Sequence, residues 1–212
     1  MLRIKQFIFN PVQENTYLLF DENGDCAIID PGCYFDYERK ELTDFVDANK
    51  LAPKDLLNTH CHLDHVFGNK FVADTYGLKL QLHSGEKVML DLAPLSGEKL
   101  GLPFENYQGE LTFLKENDLI KVGNDVLKVL FTPGHSPASI SFYCAAQQFV
   151  IAGDVLFRSG IGRTDLPGGD YDTLINSIRE KLFTLPDEVV VHSGHGPETT
   201  IGYEKKNNPF LV

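Results

Sequence analysis

The residues best suited to chemistry lie in one run, Thr59-His60-Cys61-His62-Leu63-Asp64-His65, in the pattern H-x-H-x-D-H. Imidazoles and carboxylates in such density are ligands for divalent metals such as zinc, iron or manganese. On an extended backbone side chains alternate, so His60 and His62 project to one side and can grip a single ion. Cys61 and Leu63 then point the other way, toward a core. Where the chain turns into a helix, Asp64 and His65 are redirected to a second point nearby, so one short segment can serve two metals.

Three later loops offer further ligands. The segments Phe131-Thr132-Pro133-Gly134-His135-Ser136-Pro137, Ile151-Ala152-Gly153-Asp154 and Val191-His192-Ser193-Gly194-His195-Gly196-Pro197 each follow a buried apolar run. Each sets a histidine or aspartate beside a glycine at a strand end, where loops converge to build sites. His83 and His192 fall outside the pattern and read as half-buried structural histidines. Arg158, Lys205 and Lys206 read as solvated charges.

The elements that must position these loops follow from short apolar runs broken by turn signals. Leu2–Phe9, Thr16–Phe20 and Cys26–Ile29 read as strands, separated by Asn10-Pro11 and Asp21-Glu22-Asn23-Gly24. Helical spacing runs from Phe35 to about Lys50, then a strand over Lys54–Thr59 and a helix over Val66–Tyr76 that Gly77 ends. A strand at Lys79–Leu82 and a helix over Glu86–Leu92 precede a Pro/Gly-rich stretch, Ala93 to Gly109, which reads as a long loop. Strands follow at Leu111–Leu114, Leu119–Lys121, Val126–Phe131, Ser139–Tyr143 and Phe149–Ala152, then a helix over Tyr171–Phe183 and a buried strand at Val189–Val191. Mixed strands and helices in both halves predict an α/β layered sandwich, with residues 1–212 as one domain.

Composition narrows the function classes. The chain has 212 residues, 42% hydrophobic and 23% charged, which suits a globular fold. With 19 Lys+Arg against 30 Asp+Glu its net charge is −11, so a phosphate-gripping nucleic-acid binder is excluded as an expectation. No run approaches the ~20 apolar residues of a membrane span, and the N-terminus lacks a signal peptide's apolar middle. The four cysteines have no metal-knuckle or disulfide-scaffold spacing, so a reduced, cytoplasmic protein is expected.

The order H-x-H-x-D-H, then His135, Asp154 and His195, with Asp30-Pro31-Gly32 upstream, resembles the metallo-β-lactamase superfamily. The likeness runs from Asn10-Pro11 and Glu14-Asn15 to Asn208-Pro209-Phe210. Within it the chain is most similar to the glyoxalase II (hydroxyacylglutathione hydrolase) group, through Gly162-Arg163-Thr164-Asp165-Leu166-Pro167 and Gly194-His195-Gly196-Pro197-Glu198-Thr199-Thr200. The resemblance implies an αββα sandwich, two mixed sheets flanked by helices, with the site where the sheets meet. It implies that His60, His62 and His135 hold one ion, that Asp64, His65 and His195 hold a second, and that Asp154 bridges them. His65, in place of Arg or Cys, favours dinuclear hydrolases over true β-lactamases.

The implied cofactors are two divalent ions, zinc first, with iron or manganese as alternatives. The implied chemistry is attack of a metal-bridging hydroxide on the carbonyl of a small-molecule thioester such as S-lactoylglutathione, with Asp64 and Asp154 orienting and bridging. Asp30 is expected either to fix a ligand imidazole from behind or to cap a turn. Arg163 and Asp165 are expected either on a substrate loop or as a structural pair. The −11 balance does not exclude an anionic substrate, because the metals set the pocket's sign. Only 17 residues (212 − 195) follow His195, so the helical region that builds much of the glutathione site in glyoxalase II enzymes is expected to be missing, and the thiol half of the substrate to be bound differently or not to be glutathione. A mononuclear Fe(II) persulfide dioxygenase, held by His60, His135 and Asp154, and a lactonase are rival readings. No motif fixes the oligomeric state, and neither a nucleic-acid nor a membrane partner is expected.

Overall fold

The computed structural model describes residues 1–212. Strands β1 (Arg3–Phe9), β2 (Glu14–Phe20) and β3 (Asp25–Ile29) form an antiparallel meander. Its reversals fall at Asn10 and Gly24, whose φ values of 56° and 89° lie in the left-handed region that Asn and Gly tolerate best. Helix α1 (Asp36–Ala48) then leads to β4 (Ala52–Leu57), which joins β3 in parallel. Helices α2 (Leu63–Val66) and α3 (Asn69–Tyr76) lead to β5 (Leu80–His83), and α4 (Lys87–Leu100) leads to β6 (Leu111–Leu114). These last two strands also pair in parallel, completing a six-stranded mixed sheet in the order β1-β2-β3-β4-β5-β6.

The second sheet starts with the antiparallel strands β7 (Leu119–Val122), β8 (Asp125–Phe131), β9 (Ile140–Cys144) and β10 (Phe149–Gly153). A small hairpin, β11 (Leu156–Phe157) and β12 (Gly160–Ile161), projects from the end of β10. Helix α5 (Tyr171–Ser177) continues into a π-helical turn, Ile178–Leu182, before β13 (Val190–Ser193) pairs in parallel with β10. Strand β14 (Thr199–Thr200) closes the edge and runs into α6 (Ile201–Asn207).

Two-residue periodicity explains the layering. In β3, Cys26 and Ile28 face the core under α1, α3 and α4, whereas Ala27 and Ile29 face the other sheet. In β10, Phe149 and Ile151 face the first sheet, whereas Val150 and Ala152 pack under α5 and α6. Both sheets are thus apolar on both faces, and each fully buried Leu or Ile contributes roughly 1.5–3 kcal/mol. The result is helix on sheet on sheet on helix, the expected sandwich.

Three expectations need correction. Strand β4 spans Ala52–Leu57 rather than Lys54–Thr59, so an extended loop, not the strand itself, presents His60 and His62. The helix expected to stop at Leu92 continues to Leu100, through Pro94. Proline has no N–H for the carbonyl of Leu90; Asn106 Nδ2 donates to that carbonyl instead, at 2.6 Å, and the helix survives. The long loop therefore shrinks to the stretch after Gly101, whose φ of 73° ends the helix. Short strands β11, β12 and β14 and helix α6 carried no sequence signal strong enough to be read. No helix is long and apolar enough to cross a membrane.

Candidate metal centre

The loops after β4, β8, β10 and β13 meet where the two sheets converge. Nitrogens of His60, His62 and His135 lie within 4.8 Å of one another, and so do ligand atoms of Asp64, His65 and His195. Asp154 stands between the groups. Its Oδ2 is 3.5 Å from His135 Nε2 and 3.6 Å from His195 Nε2, and its Oδ1 is 3.4 Å from His65 Nε2. All seven residues named from the sequence are thereby brought together. Gly194 makes the closeness attainable, since a Cβ there would strike Asp154 Oδ1 and His65 Cε1.

The donor set fits cations. His60 Nε2, His62 Nε2, His65 Nε2 and Asp154 Oδ1 are buried without a hydrogen-bond partner. Each such atom costs about 1–3 kcal/mol, and a cluster of four is accounted for by ions that they would hold.

The opposite ring nitrogens are tied down. His65 Nδ1 lies 3.2 Å from Asp30 Oδ2, His135 Nδ1 is 2.8 Å from the carbonyl of Arg163, and His195 Nδ1 is 3.2 Å from the carbonyl of Gln13. His60 Nδ1 sits 3.1 Å from Thr59 Oγ1. Such contacts fix ring orientation and tautomer. Asp30 also accepts from Asn58 Nδ2, Thr59 N and Thr59 Oγ1, so its oxygens are filled by orienting bonds rather than left for an ion.

Electrostatics separates the groups. Burial, reinforced by neighbouring imidazoles, holds His60 well below the ordinary imidazole range, and burial pushes His62 down to about 3 and His135 down as well. Burial acts in the same sense on His65 and His195, but Asp64 and Asp154 outweigh it and raise both. Burial would raise Asp64 and Asp154, yet His65 and its neighbours hold them low.

Other expected residues stand apart. Arg163 and Asp165 form an exposed fork-to-fork pair, with both contacts 2.7 Å, so the side chains engage each other. Arg163 still borders the cavity in front of the ligands, whereas Asp165 does not. Arg158 lies over the Tyr203 ring at 5.4 Å, and Lys205 pairs with Asp187 at 2.7 Å. His83 accepts from Gly85 N at 3.2 Å, and His192 lies 3.8 Å from Glu198. Cys61 joins the core as expected, although it also borders the cavity.

Sequence reading missed three supports. Asn15 donates through Nδ2 to the carbonyls of Ser193 and Gly196, both at 2.9 Å, and its N–H donates to Gly194 at 2.7 Å, which fastens the His195 loop to β2. Glu14 is wholly buried with Oε1 3.9 Å from His65 Nδ1. Glu86, also wholly buried, links the His60–His62 loop to the His135 loop. Glu14 and Asn15 fell inside the family-like stretch without a role, and no spacing marked Glu86.

The profile of the Metallo-beta-lactamase superfamily matches residues 9–195. The chain is 42% identical to the probable metallo-hydrolase YqgX of Bacillus subtilis, over 95% of this chain and 93% of that one. It is 38% identical to hydroxyacylglutathione hydrolase GloC of Haemophilus influenzae, over 94% and 93% respectively. Among solved structures, the BLEG-1 B3 metallo-beta-lactamase matches with a TM-score of 0.91 at 37% identity, covering 99% of this chain and 100% of that one. TTHA1623, solved in a di-iron-bound form, matches with a TM-score of 0.89 at 36% identity, covering 98% and 100%.

Proposed function

The chain belongs to the metallo-β-lactamase superfamily, and on that premise we propose that it hydrolyses thioesters, S-lactoylglutathione among them, with two divalent ions at its centre. The observation that carries this reading is the pair of three-ligand groups facing each other across Asp154, with four buried atoms unpartnered. Under it His60, His62 and His135 hold one ion, Asp64, His65 and His195 hold the other, and Asp154 serves both. Similarity to a hydroxyacylglutathione hydrolase supports the thioester class. Zinc is the proposed metal; a donor set of imidazoles and carboxylates without thiolate also suits iron or manganese.

When bound, the ions supply a water whose pKa falls to roughly 7 and a Lewis acid for the carbonyl oxygen. The chain's residues position the rest. Asp64 and Asp154 accept from the attacking water and orient its oxygen toward the carbonyl carbon. The new C–O bond forms, the C–S bond breaks with its electron pair on sulfur, and the thiolate takes up the proton that the water releases. A thiol's ordinary pKa of about 8.5 makes it a good leaving group, so no dedicated acid is needed. Cys61 is not a nucleophile here, because burial pushes its thiol far above the usual range.

Metal analysis of the purified protein, paired with hydrolysis assays, tests this. Two equivalents of metal and turnover of S-lactoylglutathione are expected, and Asp154→Ala should lose both together. One iron per chain with O₂ uptake on glutathione persulfide would replace the reading with a mononuclear dioxygenase. Turnover of β-lactams or lactones without thioesters would replace the substrate class.

A further inference from the structure

The cavity in front of the ligand cluster holds about 780 Å³, a volume ample for a small organic substrate. One wall is helix α4. Met89, Leu92, Ala93, Ser96 and Leu100 recur along it at the spacing that keeps residues on one face, and all border the cavity. Ile161 and Leu166 stand among the other lining residues, with His62, Asp64, His135, Asp154 and His195 at the site itself. Leu92 and Leu100 remain 41% and 66% exposed. A mostly apolar stripe, interrupted by Ser96, that lines the same cavity as candidate metal ligands is suited to bind rather than merely to fold.

The charges around this cavity are few. Two cations border it, Lys99 and Arg163. Arg163 is engaged by Asp165 at 2.7 Å, which leaves Lys99 as the cation without an ion-pair partner. The two bordering carboxylates, Asp64 and Asp154, already face imidazoles. A glutathione thioester brings two carboxylates and an ammonium, for which this lining holds no matched set of partners. Hydrocarbon, in contrast, matches the Met89, Leu92, Ala93 and Leu100 positions of the α4 wall, where Ser96 and Lys99 are the polar exceptions.

We propose that the physiological substrate is a thioester whose acyl group is an apolar chain or aryl ring, seated along Met89, Leu92, Ala93 and Leu100 of α4. This rests on the thioesterase reading and narrows it. The apolar group desolvates against the helix while the carbonyl reaches the ligand cluster, so acyl size sets kcat/KM.

The test uses the metal-loaded enzyme and N-acetylcysteamine thioesters from acetyl to octanoyl, with benzoyl and S-lactoylglutathione alongside. Each added methylene should raise kcat/KM by about fourfold until the wall is covered. The hexanoyl ester should then exceed both the acetyl ester and S-lactoylglutathione. Leu92→Asp should lower the hexanoyl-to-acetyl ratio at least tenfold, whereas Val88→Asp, on the same helix but outside the cavity, should leave that ratio unchanged. Calorimetry with the unreactive thioether S-hexyl-N-acetylcysteamine should show binding at least tenfold tighter than with the S-ethyl compound. A flat acyl series, or S-lactoylglutathione preferred tenfold, overturns the apolar assignment and leaves the thioesterase reading standing. If no thioester turns over at full metal occupancy, that reading fails with the substrate named on it. The thioether pair then isolates the lining: equal binding of hexyl and ethyl overturns an apolar wall outright.

Discussion

The buried carboxylate of Glu86 accepts the backbone N–H of Cys61 at 2.8 Å. It also accepts the N–H of Ala138 at 2.8 Å and the hydroxyl of Ser136 at 2.7 and 2.8 Å. Cys61 lies between His60 and His62, and Ser136 follows His135. A single side chain, on the turn before α4, therefore sets the spacing of two ligand loops that come from different sheets.

Glu86→Gln should expose that dependence. A carboxylate offers two acceptor oxygens, whereas an amide offers one and turns a donor toward an N–H that already donates. One backbone N–H would be left buried and unpaired, at a cost of about 1–3 kcal/mol. Displacement of the His60–His62 loop against His135 should weaken metal binding about 10- to 100-fold, as expected when a support behind metal ligands is lost. Urea unfolding of the metal-free protein and competition with a chelator measure the two effects. A variant unchanged in both would show that Glu86 is not the spacer.

Why the ligands were legible and Glu86 was not has a physical basis. Metal chemistry restricts ligands to a few residue types, and His60, His62, Asp64 and His65 crowd into one run that chance seldom makes. His135, Asp154 and His195 each sit beside a glycine after a buried strand, so the same signal repeats. Glu86 acts by accepting from N–H groups 25 and 52 residues away, a partnership that only the tertiary fold creates. The sandwich was readable because runs such as Cys26–Ile29 of β3 and Phe149–Ala152 of β10 are apolar at every position, the mark of a sheet covered on both faces. Helix α4 was cut short for the opposite reason. Pro94 is a correct local stop signal that a remote side chain, Asn106, cancels.

Asn106→Ala should therefore destabilise the protein by about 1–2 kcal/mol, because the carbonyl of Leu90 would lose its donor in a buried setting. The cost should shrink in a Pro94→Ala background, where residue 94 regains an N–H for that carbonyl. A double-mutant cycle by urea denaturation measures the coupling. Additive effects would mean that Asn106 does not stand in for the missing helical bond.

The thiols should be inert in the folded protein. All four cysteines are free and buried, and burial pushes Cys26 and Cys33 up to about 12. At pH 8 their thiolate fraction would be roughly one in ten thousand. Cys61 and Cys144 are raised by the same cause. Iodoacetamide at pH 8 should label none in the native protein and all four after denaturation, as read by mass spectrometry. Rapid native labelling of Cys61 would place its thiol toward the cavity as a reactive group and remove it from the core.

The two ligand groups should load metal with different pH dependence. Burial holds His60, His62 and His135 below the ordinary imidazole value of 6.5, His62 down to about 3, so all three are neutral and ready for an ion at pH 6.5. His65 and His195 are raised above 6.5 by Asp64 and Asp154, so in the metal-free protein they hold protons that an ion must displace. The sign follows. Each raised histidine stabilises the metal-free fold fully below pH 6.5, and that contribution is lost as pH rises through the raised value. Below that value, each displaced proton weakens metal binding about tenfold per pH unit. The thermal stabilisation conferred by metal should therefore grow as pH rises from about 5.5 to 8.5, and stoichiometry should climb from one ion toward two. Unfolding curves with and without chelator, together with elemental analysis at each pH, measure both. Two ions retained equally across that range would mean that Asp64, His65 and His195 bind without displacing protons, and the electrostatic division between the groups would be wrong.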